Sequence, residues 1–584
     1  MLTPARPWVR RSIPQDVVAE LEQDLKVSPL TARLLALRGL QGAAAAQRWF
    51  ARRLQDLHQP ELMRDVGRAA KRLAEAIDQR QRILIHGDYD VDGSTSASLL
   101  TLFVRACSHE AEAFVPHRRI DGYGLGEASL EAVKEHRAQV LITVDCGIAD
   151  HGWAKRIEAE TGCDVIITDH HLPQGDLPQC FAVCNPNHPD CQYPDKHLAG
   201  VGVAWKLALA TARVLSGGGD DLTAKVTPRL REFLMDALAL VAVGTVADCA
   251  NLDGENRILV HHGLLALAKT AQPGLRTLLE QARLSGDIAA GDVGWKLGPL
   301  LNAAGRVGSA MDTIRLLTAR TPEVAREALT GIVAENEERK RLTLALTVDL
   351  SARIEADPHL RSRAALVFAG EGWHQGVVGI VASRLVEQFH KPAVVIAIMD
   401  GQGKGSLRTI GGVHLGEAIA ACKDHIIKGG GHALAAGLSI DPAKIPEFTA
   451  AFEAYVGQRR PGDSAPPRTE FDAEARLGEL DDDFYQQLEA MAPFGIGNPE
   501  PLLQLTSTAF LGRPRLFGKE GDHLRGTLTD AGGGARELMV WKARKQFTDF
   551  SVVGARFDLL VRPQAGRFRG QLQPRLVFVD GKAG

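Results

Sequence analysis

The string His86-Gly-Asp88-Tyr-Asp90-Val-Asp92-Gly carries three carboxylates and an imidazole within seven residues. Such groups repel one another and resist burial unless a positive charge lies among them. An Asp-rich surface turn would also fit, and EF-hand loops begin with the same acidic pattern. Counted from Asp88, however, the twelfth EF-hand ligand would be Leu99 instead of a glutamate, which excludes a calcium loop. The string therefore indicates a site for another divalent metal ion.

Further acids and histidines follow later apolar runs. Asp145 follows VLITV, whereas Asp169, His170 and His171 follow VIIT, and Asp248 ends an apolar helical pattern. Because the carboxyl ends of parallel strands share one edge of a sheet, these side chains are predicted to converge. One acid at a strand end is more often a helix cap, but four coordinated occurrences favour a metal site.

Mixed Asp and His ligands favour Mn²⁺, with Mg²⁺ plausible and Zn²⁺ less suitable. Two ions that share one carboxylate would stand about 3.5–4 Å apart. That spacing suits in-line attack on phosphorus, with one ion activating water and both offsetting charge on the phosphate oxygens. The residue types and positions thus indicate phosphodiester hydrolysis.

The elements that position these residues alternate between short apolar runs and helical patterns. The predicted strands are 82–86, 111–116, 140–144 and 164–168, each followed by a helix or a loop. This alternation is typical of an α/β fold with a parallel sheet covered on both faces. Residues 199–350 look mostly helical, and a charged helix over 330–354 is predicted to connect this unit to a smaller α/β unit.

The C-terminal part differs in pattern and charge. The Pro-, Gly- and Arg-rich segment 456–468 predicts a linker, and the short alternating runs beyond it predict a β-barrel of OB-fold size. Residues 505–584 contain 14 Lys and Arg against 7 Asp and Glu, a net charge of +7, whereas the whole chain carries −3. A basic module attached to an acidic body is typical of a nucleic-acid-binding protein.

The composition limits the remaining possibilities. A chain of 584 residues is long enough for three or four domains. It has no apolar run that could span a bilayer and no apolar signal-peptide core near its start, so we expect a cytoplasmic protein without membrane contact. Cys180, Cys184 and Cys191 lie close in sequence but match no ordinary zinc pattern, which favours reduced structural thiols.

The ordered set HGDYDVDG, VDCG, TDHH and GTVADC resembles the signature motifs of the DHH phosphoesterase superfamily. The run GGGHALAAG resembles the glycine-rich motif of the associated DHHA1 domain. The strings VPHRRIDGYGL, LNAAGR, HQGVVGIVASRL and GKGSLRT extend the resemblance to the RecJ family, from about residue 70 to the C-terminal barrel. We expect an N-terminal helical extension (1–70), a DHH catalytic domain (71–260), a helical connector (261–355), a DHHA1-like domain (356–460) and an OB-fold (469–584).

The resemblance also implies two sets of metal ligands. One ion would take His86, Asp90 and Asp145, and the other would take Asp92, Asp145, His170 and Asp248, so that Asp145 bridges them. Asp88 would orient a ligand or a water from behind the ligands. His171 would face the scissile phosphate and help to stabilise the leaving oxygen, although a hydrogen bond to backbone is the simpler alternative.

The family's substrate-binding positions correspond here to Arg118, Arg306, Ser406, Arg408 and His432. Arginine suits phosphate because its planar fork donates two parallel hydrogen bonds, and glycines 429–431 would let backbone N–H groups approach a phosphate. Leu407 departs from the pattern, because the family has a glycine there, and this puts close backbone contact in doubt. Aromatic residues make up only 5% of the chain, so few rings are available to stack on bases.

Together these features imply a single-stranded-DNA-specific exonuclease that uses two Mn²⁺ or Mg²⁺ ions. The resemblance further implies 5′-to-3′ direction, a monomer acting in recombination and repair, and a single-stranded-DNA-binding protein and a helicase as partners. A phosphodiesterase for cyclic dinucleotides or short oligonucleotides is the alternative, but such enzymes usually lack the basic barrel. A catalytically inactive DNA-binding relative would have lost metal ligands, whereas all seven candidate positions hold Asp or His here.

Overall fold

The computed structural model of this protein describes residues 6–118, 120–173, 175–218, 225–459, 468–518, 520–543, 550, 554–568 and 571–583. The chain starts with a short strand, β1 (Trp8–Arg10), followed by helices α1 (Gln15–Leu25), α2 (Pro29–Ala36) and α3 (Ala43–Ala51). The apolar faces of these helices pack into the core of the C-terminal barrel instead of forming a core of their own.

The unit that the sequence predicts to be catalytic, called the catalytic unit below, is built on a five-stranded, wholly parallel sheet with the order β3-β2-β4-β5-β6. Its elements are α4 (Val66–Asp78), β2 (Ile83–Gly87), α5 (Val91–Ala106), β3 (Glu112–Phe114), α6 (Glu127–His136), β4 (Val140–Val144), α7 (Trp153–Thr161), β5 (Asp164–Thr168) and β6 (Ala182–Cys184). The predicted parallel sheet is confirmed, and β4 and β5 have the predicted bounds. Strand β6 was missed, because its three residues lie in a stretch that reads as a loop.

A helical region packs against this sheet. It comprises α8 (Gly200–Arg213), α9 (Pro228–Asp236), α10 (Leu238–Ala247), α11 (Gly254–Lys269), α12 (Pro273–Gln281), α13 (Ala290–Asp292), α14 (Gly298–Val307), α15 (Ala310–Leu317) and α16 (Pro322–Ala356). The nearly continuous apolar sequences of α8 and α10 are buried on all sides, in the same core as the sheet. Helix α16, with 35 residues, is the predicted connector, and it contacts both this region and the next unit.

The smaller α/β unit has a mixed sheet with the order β10-β11-β9-β8-β7. It contains α17 (Pro358–Ser362), β7 (Leu366–Glu371), α18 (Gln375–Phe389), β8 (Ala393–Met399), β9 (Gln402–Arg408), α19 (Leu415–Ala421), β10 (Lys428–Gly431), β11 (Ala435–Ile440) and α20 (Ile445–Arg459). Helix α20 extends into the predicted linker as far as Arg459, and residues 460–467 of that linker lie outside the described residues.

The C-terminal unit is a β-barrel. It contains β12 (Thr469–Phe471), β13 (Ala473–Ala475), α21 (Asp482–Met491), β14 (Leu503–Phe510), β15 (Arg515–Phe517), β16 (His523–Thr529), β17 (Ala535–Val540), β18 (Phe557–Phe568) and β19 (Gln571–Ala583). The sheet order is β13-β14-β18-β19-β17-β16-β15, and an additional pairing of β14 with β16 closes it. Strand β1 pairs in parallel with β12, so the start of the chain belongs to this body.

Two further sequence predictions concern the whole molecule. Within the described ranges, none of the helices combines the length and the apolar character that a membrane crossing requires. All eight cysteines have free thiols, and none of the candidate metal-binding groups found among the described residues includes a cysteine. These thiols are placed as the prediction of reduced cysteines requires, and the prediction itself stays a prediction.

Candidate metal centre

The first acidic string leaves β2 and turns directly into α5. Asp90 precedes the helix, and its Oδ1 accepts a hydrogen bond of 3.1 Å from the Gly93 N–H, an N-cap that fixes the start of the helix. A Cβ on Gly93 would lie 2.6 Å from the backbone nitrogen of Asp88, so the turn requires a glycine. This tight turn holds the buried carboxylates of Asp88 and Asp92 at the carboxyl end of β2.

Asp92 is fixed by the N-terminus of α8. Its two oxygens each accept a hydrogen bond of 2.8 Å, one from the Gly200 N–H and one from the Val201 N–H. Burial and the nearby charges of Asp248 and Asp90 raise the pKa of Asp92 well above its usual range, whereas these two hydrogen bonds oppose the rise. The positive N-terminal end of α8 thus stabilises the charged form of Asp92, whereas burial and the neighbouring carboxylates destabilise it.

Asp145 follows β4 in a left-handed backbone conformation with φ 61°. A Cβ on Gly200 would lie 2.7 Å from Asp145 Oδ1, so the glycine lets α8 approach this carboxylate. The backbone carbonyl of Asp145 accepts a hydrogen bond of 3.2 Å from the Tyr123 hydroxyl. These contacts point the Asp145 carboxylate into the space between the ends of β2, β4 and β5.

Asp169 orients the two histidines that follow β5. Its Oδ1 accepts hydrogen bonds from the His170 N–H at 2.7 Å, the His171 N–H at 3.1 Å and the His171 Nδ1 at 2.8 Å. Burial alone would lower the pKa of His171, but the hydrogen bond to Asp169 and the surrounding carboxylates raise it to about 9. Sequence analysis placed Asp169 at this edge but gave it no role, although its position directly before two histidines was the signal.

His170 lies among three carboxylates. Its Nε2 is 3.1 Å from Asp145 Oδ1, 3.9 Å from Asp92 Oδ2 and 4.0 Å from Asp248 Oδ2. Three groups each bring their ligand atoms within 4.8 Å of one another, namely Asp145 with His170 and His171, Asp92 with His170 and Asp248, and Asp88 with Asp90 and Asp145. These groups overlap through Asp145 and His170, so adjacent cation positions share ligands at this edge.

His86 does not belong to any of these three groups. Its ring is buried, with Nε2 2.9 Å from Ser129 Oγ and Nδ1 3.6 Å from Cys146 Sγ. Burial lowers the pKa of His86 to about 4, so the ring is neutral near pH 7. Asp88, instead of His86, is the residue of this string that groups with Asp90 and Asp145, and the assignment of His86 as a ligand stays a prediction.

Several buried polar atoms of the site lack, among the residues that the structure describes, the hydrogen-bond partner that buried polar atoms normally have. Asp88 Oδ1, Asp145 Oδ1 and His170 Nε2 are buried without a hydrogen-bond partner within the described part of the chain. Burial, together with neighbouring carboxylates, raises the pKa of Asp88 and Asp145 well above the usual range and that of Asp248 to about 7. Buried like charges of this kind require a cation, and the mixture of oxygen and nitrogen donors fits Mn²⁺ or Mg²⁺.

Arginines gather beside the carboxylates. Arg306, on α14, is half-buried, and its pKa falls to about 10 because of desolvation and the charges of Arg118, Arg339 and Arg408. The guanidinium of Arg118 lies 4.5 Å from the centre of the Tyr89 ring. None of these four arginines forms an ion pair with a carboxylate among the described residues, so the cluster favours an anionic ligand. Arg339, from the connector helix, was not predicted.

Strand β9 presents two of the predicted substrate residues on one face. Arg408 Nη1 donates a hydrogen bond of 2.9 Å to Ser406 Oγ, whereas the intervening Leu407 is fully buried in the core on the other face. Leu407 therefore does not obstruct the face of Ser406 and Arg408. His432 is exposed in the turn between β10 and β11, and glycines 429–431 form an exposed edge strand.

Three family models match the chain: the N-terminal domain of the DHH family over residues 82–245, the DHHA1 domain over 362–458 and the RecJ OB domain over 471–580. The single-stranded-DNA-specific exonuclease RecJ of Bacillus subtilis is 33% identical over 585 residues, which cover 99% of this chain and 71% of the relative. The crystal structure of Thermus thermophilus RecJ in complex with Mn²⁺ matches with a TM-score of 0.79 and 29% identity, covering 99% of this chain and 80% of that chain. The Mg²⁺ complex of the same protein matches with a TM-score of 0.72 and 27% identity, covering 99% and 78%.

Proposed function

The chain belongs to the RecJ family, and from this premise we propose that it is a metal-dependent exonuclease that hydrolyses single-stranded DNA. The observation that carries this proposal is the convergence of Asp88, Asp92, Asp145, His170 and Asp248 on one edge of a parallel sheet, where Asp88 Oδ1, Asp145 Oδ1 and His170 Nε2 are buried without a hydrogen-bond partner among the described residues. The relatives that are named single-stranded-DNA-specific exonucleases support the choice of substrate.

We assign one ion to Asp88, Asp90 and Asp145 and the other to Asp92, Asp145, His170 and Asp248. When bound, the two divalent ions polarise the scissile phosphate and the attacking water. The protein supplies the rest of the arrangement. Helix α8 fixes Asp92, the left-handed turn after β4 fixes Asp145, and the N-cap of α5 fixes Asp90.

His171 is proposed to hold a proton for the leaving oxygen. Its Nδ1 donates to Asp169 at 2.8 Å, so the opposite ring nitrogen is the one left to face a substrate. The side chain is 40% exposed, which makes it accessible from the active-site opening. The hydrogen bond to Asp169 raises the pKa of His171 and so favours the protonated ring that a general acid requires.

The arginine cluster is proposed to bind the phosphates of the strand. Desolvation, together with the charges of Arg118 and Arg408, lowers the pKa of Arg306, and a phosphate would offset the repulsion among these arginines. Ser406, beside Arg408, would donate its hydroxyl to the same anion, and His432, in the exposed turn of the β10–β11 hairpin, is proposed to contact the strand further along. Arg118 follows β3, whereas Ser406, Arg408 and His432 lie on β9 and the hairpin, so the smaller α/β unit would contribute to substrate binding together with the catalytic unit.

The outer face of the barrel is proposed to hold the strand beyond the active site. Phe517 and His523 face each other across β15 and β16, and their ring centres lie 5.3 Å apart, with Trp541 4.9 Å from His523. Arg515 and Arg525 form the neighbouring pair on the same face, because side chains alternate along a strand. An aromatic row next to a basic row suits the stacked bases and the phosphates of a single strand.

The remaining properties are proposed from the family resemblance. They are 5′-to-3′ direction, a role in DNA recombination and repair, a monomeric state in the cytoplasm, and cooperation with a single-stranded-DNA-binding protein and a helicase. Degradation of a strand labelled at one end or the other, in the presence of those proteins, tests direction and cooperation separately.

The central experiment is a nuclease assay on end-labelled single and double strands with Mn²⁺, Mg²⁺ or a chelator. We expect stepwise loss of nucleotides from the single strand with either ion, none with the chelator, and little attack on a blunt duplex. A cyclic dinucleotide and a dinucleotide serve as comparison substrates. Turnover of those two without degradation of the long strand would contradict the proposal and establish a small-substrate phosphodiesterase instead.

A further inference from the structure

The segment Gly254–Arg257 opens helix α11 away from the metal centre, yet its buried side chains contact three distant parts of the chain. Glu255 accepts hydrogen bonds from the His58 N–H at 2.8 Å and from Lys206 Nζ at 2.7 Å. Asn256 and Arg257 are 0% and 2% exposed. Buried polar side chains of this kind are retained where each donor and acceptor has a defined partner, so the partners of Asn256 and Arg257 indicate their roles.

Asn256 joins the chain segment that follows Asp248 to the segment that leads into the helix N-terminus holding Asp92. Its Nδ2 donates to the carbonyl of Asn251 at 3.1 Å, three residues after Asp248, and to the carbonyl of His197 at 2.6 Å. Its Oδ1 accepts a hydrogen bond of 3.3 Å from the Ala199 N–H, directly before the helix N-terminus that holds Asp92. The buried Asn256 amide thus links the segment that follows Asp248 to the N-terminus of α8, which binds the Asp92 carboxylate.

The C-terminal body comprises the barrel and the N-terminal elements β1 and α1 to α3 that pack on it. One of its turns contacts the segment that follows Asp248. The Leu252 N–H donates a hydrogen bond of 2.7 Å to the Ile496 carbonyl. A Cβ on Gly495 would lie 2.6 Å from Leu252 Cδ1, which leaves no free space between the turn and the segment. The backbone behind Asp248 is therefore held from two sides, by Asn256 and by the C-terminal body.

Arg257 fixes this turn from the catalytic side. Its Nη1 donates to the Met491 carbonyl at 2.9 Å, and its guanidinium lies 3.5 Å from the centre of the Trp49 ring. Asn498 closes the turn, since its Nδ2 donates to the carbonyls of Met491 and Pro493 at 2.9 and 2.8 Å. The contact between the two bodies is thus made of buried, directed hydrogen bonds rather than of a loose apolar surface.

We propose that Asn256 is a positioning residue of the metal centre, and that the turn 493–498 of the C-terminal body supports it, so that metal affinity depends on the docking of that body. The inference rests on the proposed function, because it presupposes that Asp92 and Asp248 hold the same ion. Loss of Asn256 would let the two carboxylates drift apart without removing either of them. Partners that orient metal ligands typically change metal affinity about 10- to 100-fold when they are removed.

The test measures Mn²⁺ binding to the full-length protein by titration calorimetry, beside the melting temperature in chelator. N256D keeps the acceptor for Ala199 but places an oxygen against two carbonyls, and we expect Mn²⁺ affinity to fall about tenfold. G495A pushes Leu252, and we expect a smaller loss in the same direction. G478A is the matched control, because a Cβ there meets nothing within 4 Å.

A purely structural role for this segment would lower the melting temperature in chelator but leave the Mn²⁺ affinity of the folded protein unchanged. That result, or wild-type Mn²⁺ affinity in both N256D and G495A, would overturn the inference. If N256D does not fold, the Mn²⁺ affinity of G495A alone tests the inference. Failure of the proposed function would look different, because D92N would then bind Mn²⁺ as tightly as the wild type does.

Discussion

At the edge of the catalytic sheet the charged groups are buried, of like sign and held in place by backbone N–H groups, whereas on the barrel face the arginines are exposed and flank a row of aromatic rings. In the first region, backbone hydrogen bonds fix the positions of the charged side chains, as chemistry on a phosphate requires. The second has freedom to follow a flexible strand of any sequence. Catalysis and strand binding are thereby separated in space, which makes them separable by mutation.

The largest effect is expected where two metal positions share a ligand. D145N removes a carboxylate charge from both, so we expect kcat to fall by about a thousandfold or more, while affinity for a long single strand stays within about twofold. Single-turnover nuclease assays and fluorescence anisotropy measure the two quantities. D190N, at an exposed carboxylate paired with Arg64, is the control. Near-normal turnover in D145N would remove the bridging role.

A smaller loss is expected from the proposed proton donor. H171A should lower kcat by about a hundredfold with KM almost unchanged, because general acid catalysis contributes on this scale. D169N should show a loss in the same direction, since the hydrogen bond that orients His171 and favours its protonated form is weakened. A change in KM alone would instead make His171 a substrate-binding residue. In that case the edge of the catalytic sheet would take part in strand binding as well as in catalysis.

Mutation of the arginine cluster is expected to have an effect smaller than that of the metal ligands and larger than that of the barrel residues. R306A should raise KM for a single strand about tenfold with a lesser effect on kcat, because removing a charge-assisted hydrogen bond to a phosphate costs about 1.5–3 kcal/mol. R326A, which removes an exposed arginine paired with Glu323, should behave as the wild type. Equal kinetics in the two variants would place the phosphate elsewhere.

The smallest effect is expected on the barrel. W541A should weaken the affinity for a 20-nucleotide strand about fivefold or more, since each stacked base contributes about 1–3 kcal/mol, and should leave kcat on a dinucleotide unchanged. The double variant R515A/R525A should reduce the salt dependence of binding, with a slope lower by about 0.7 per lost contact. An unchanged salt slope would exclude this face from strand binding.

The position of the metal centre followed from the sequence because strand ends and acidic residues can be read locally. The strands VLITV and DVIIT end at Val144 and Thr168 as predicted, and Asp145 and His170 follow them. The orientation of side chains could not be read in this way. The side to which the His86 ring turns depends on its contacts with Ser129 and Cys146, which are distant in sequence.

Long-range partners were the other limit of prediction. The aromatic row of Phe517, His523 and Trp541 forms only through the register of three strands. The role proposed for Asn256 depends on its contacts with residues 197–199 and 251. No local pattern distinguishes such residues from ordinary core or surface positions. The general fold could be predicted from periodicity, whereas these roles depend on tertiary structure.

The packing of the N-terminal helices into the barrel core has a consequence for biosynthesis. The hydrogen bond from Thr31 to Gln487 spans 456 residues, so the earliest helices leave the ribosome long before the strands that cover their apolar faces. The catalytic unit can fold in the interval, because its sheet is contiguous in sequence. Until translation reaches the barrel, α1 and α2 lack the strands that cover their apolar faces, and we expect this exposed surface to favour chaperone binding during that period.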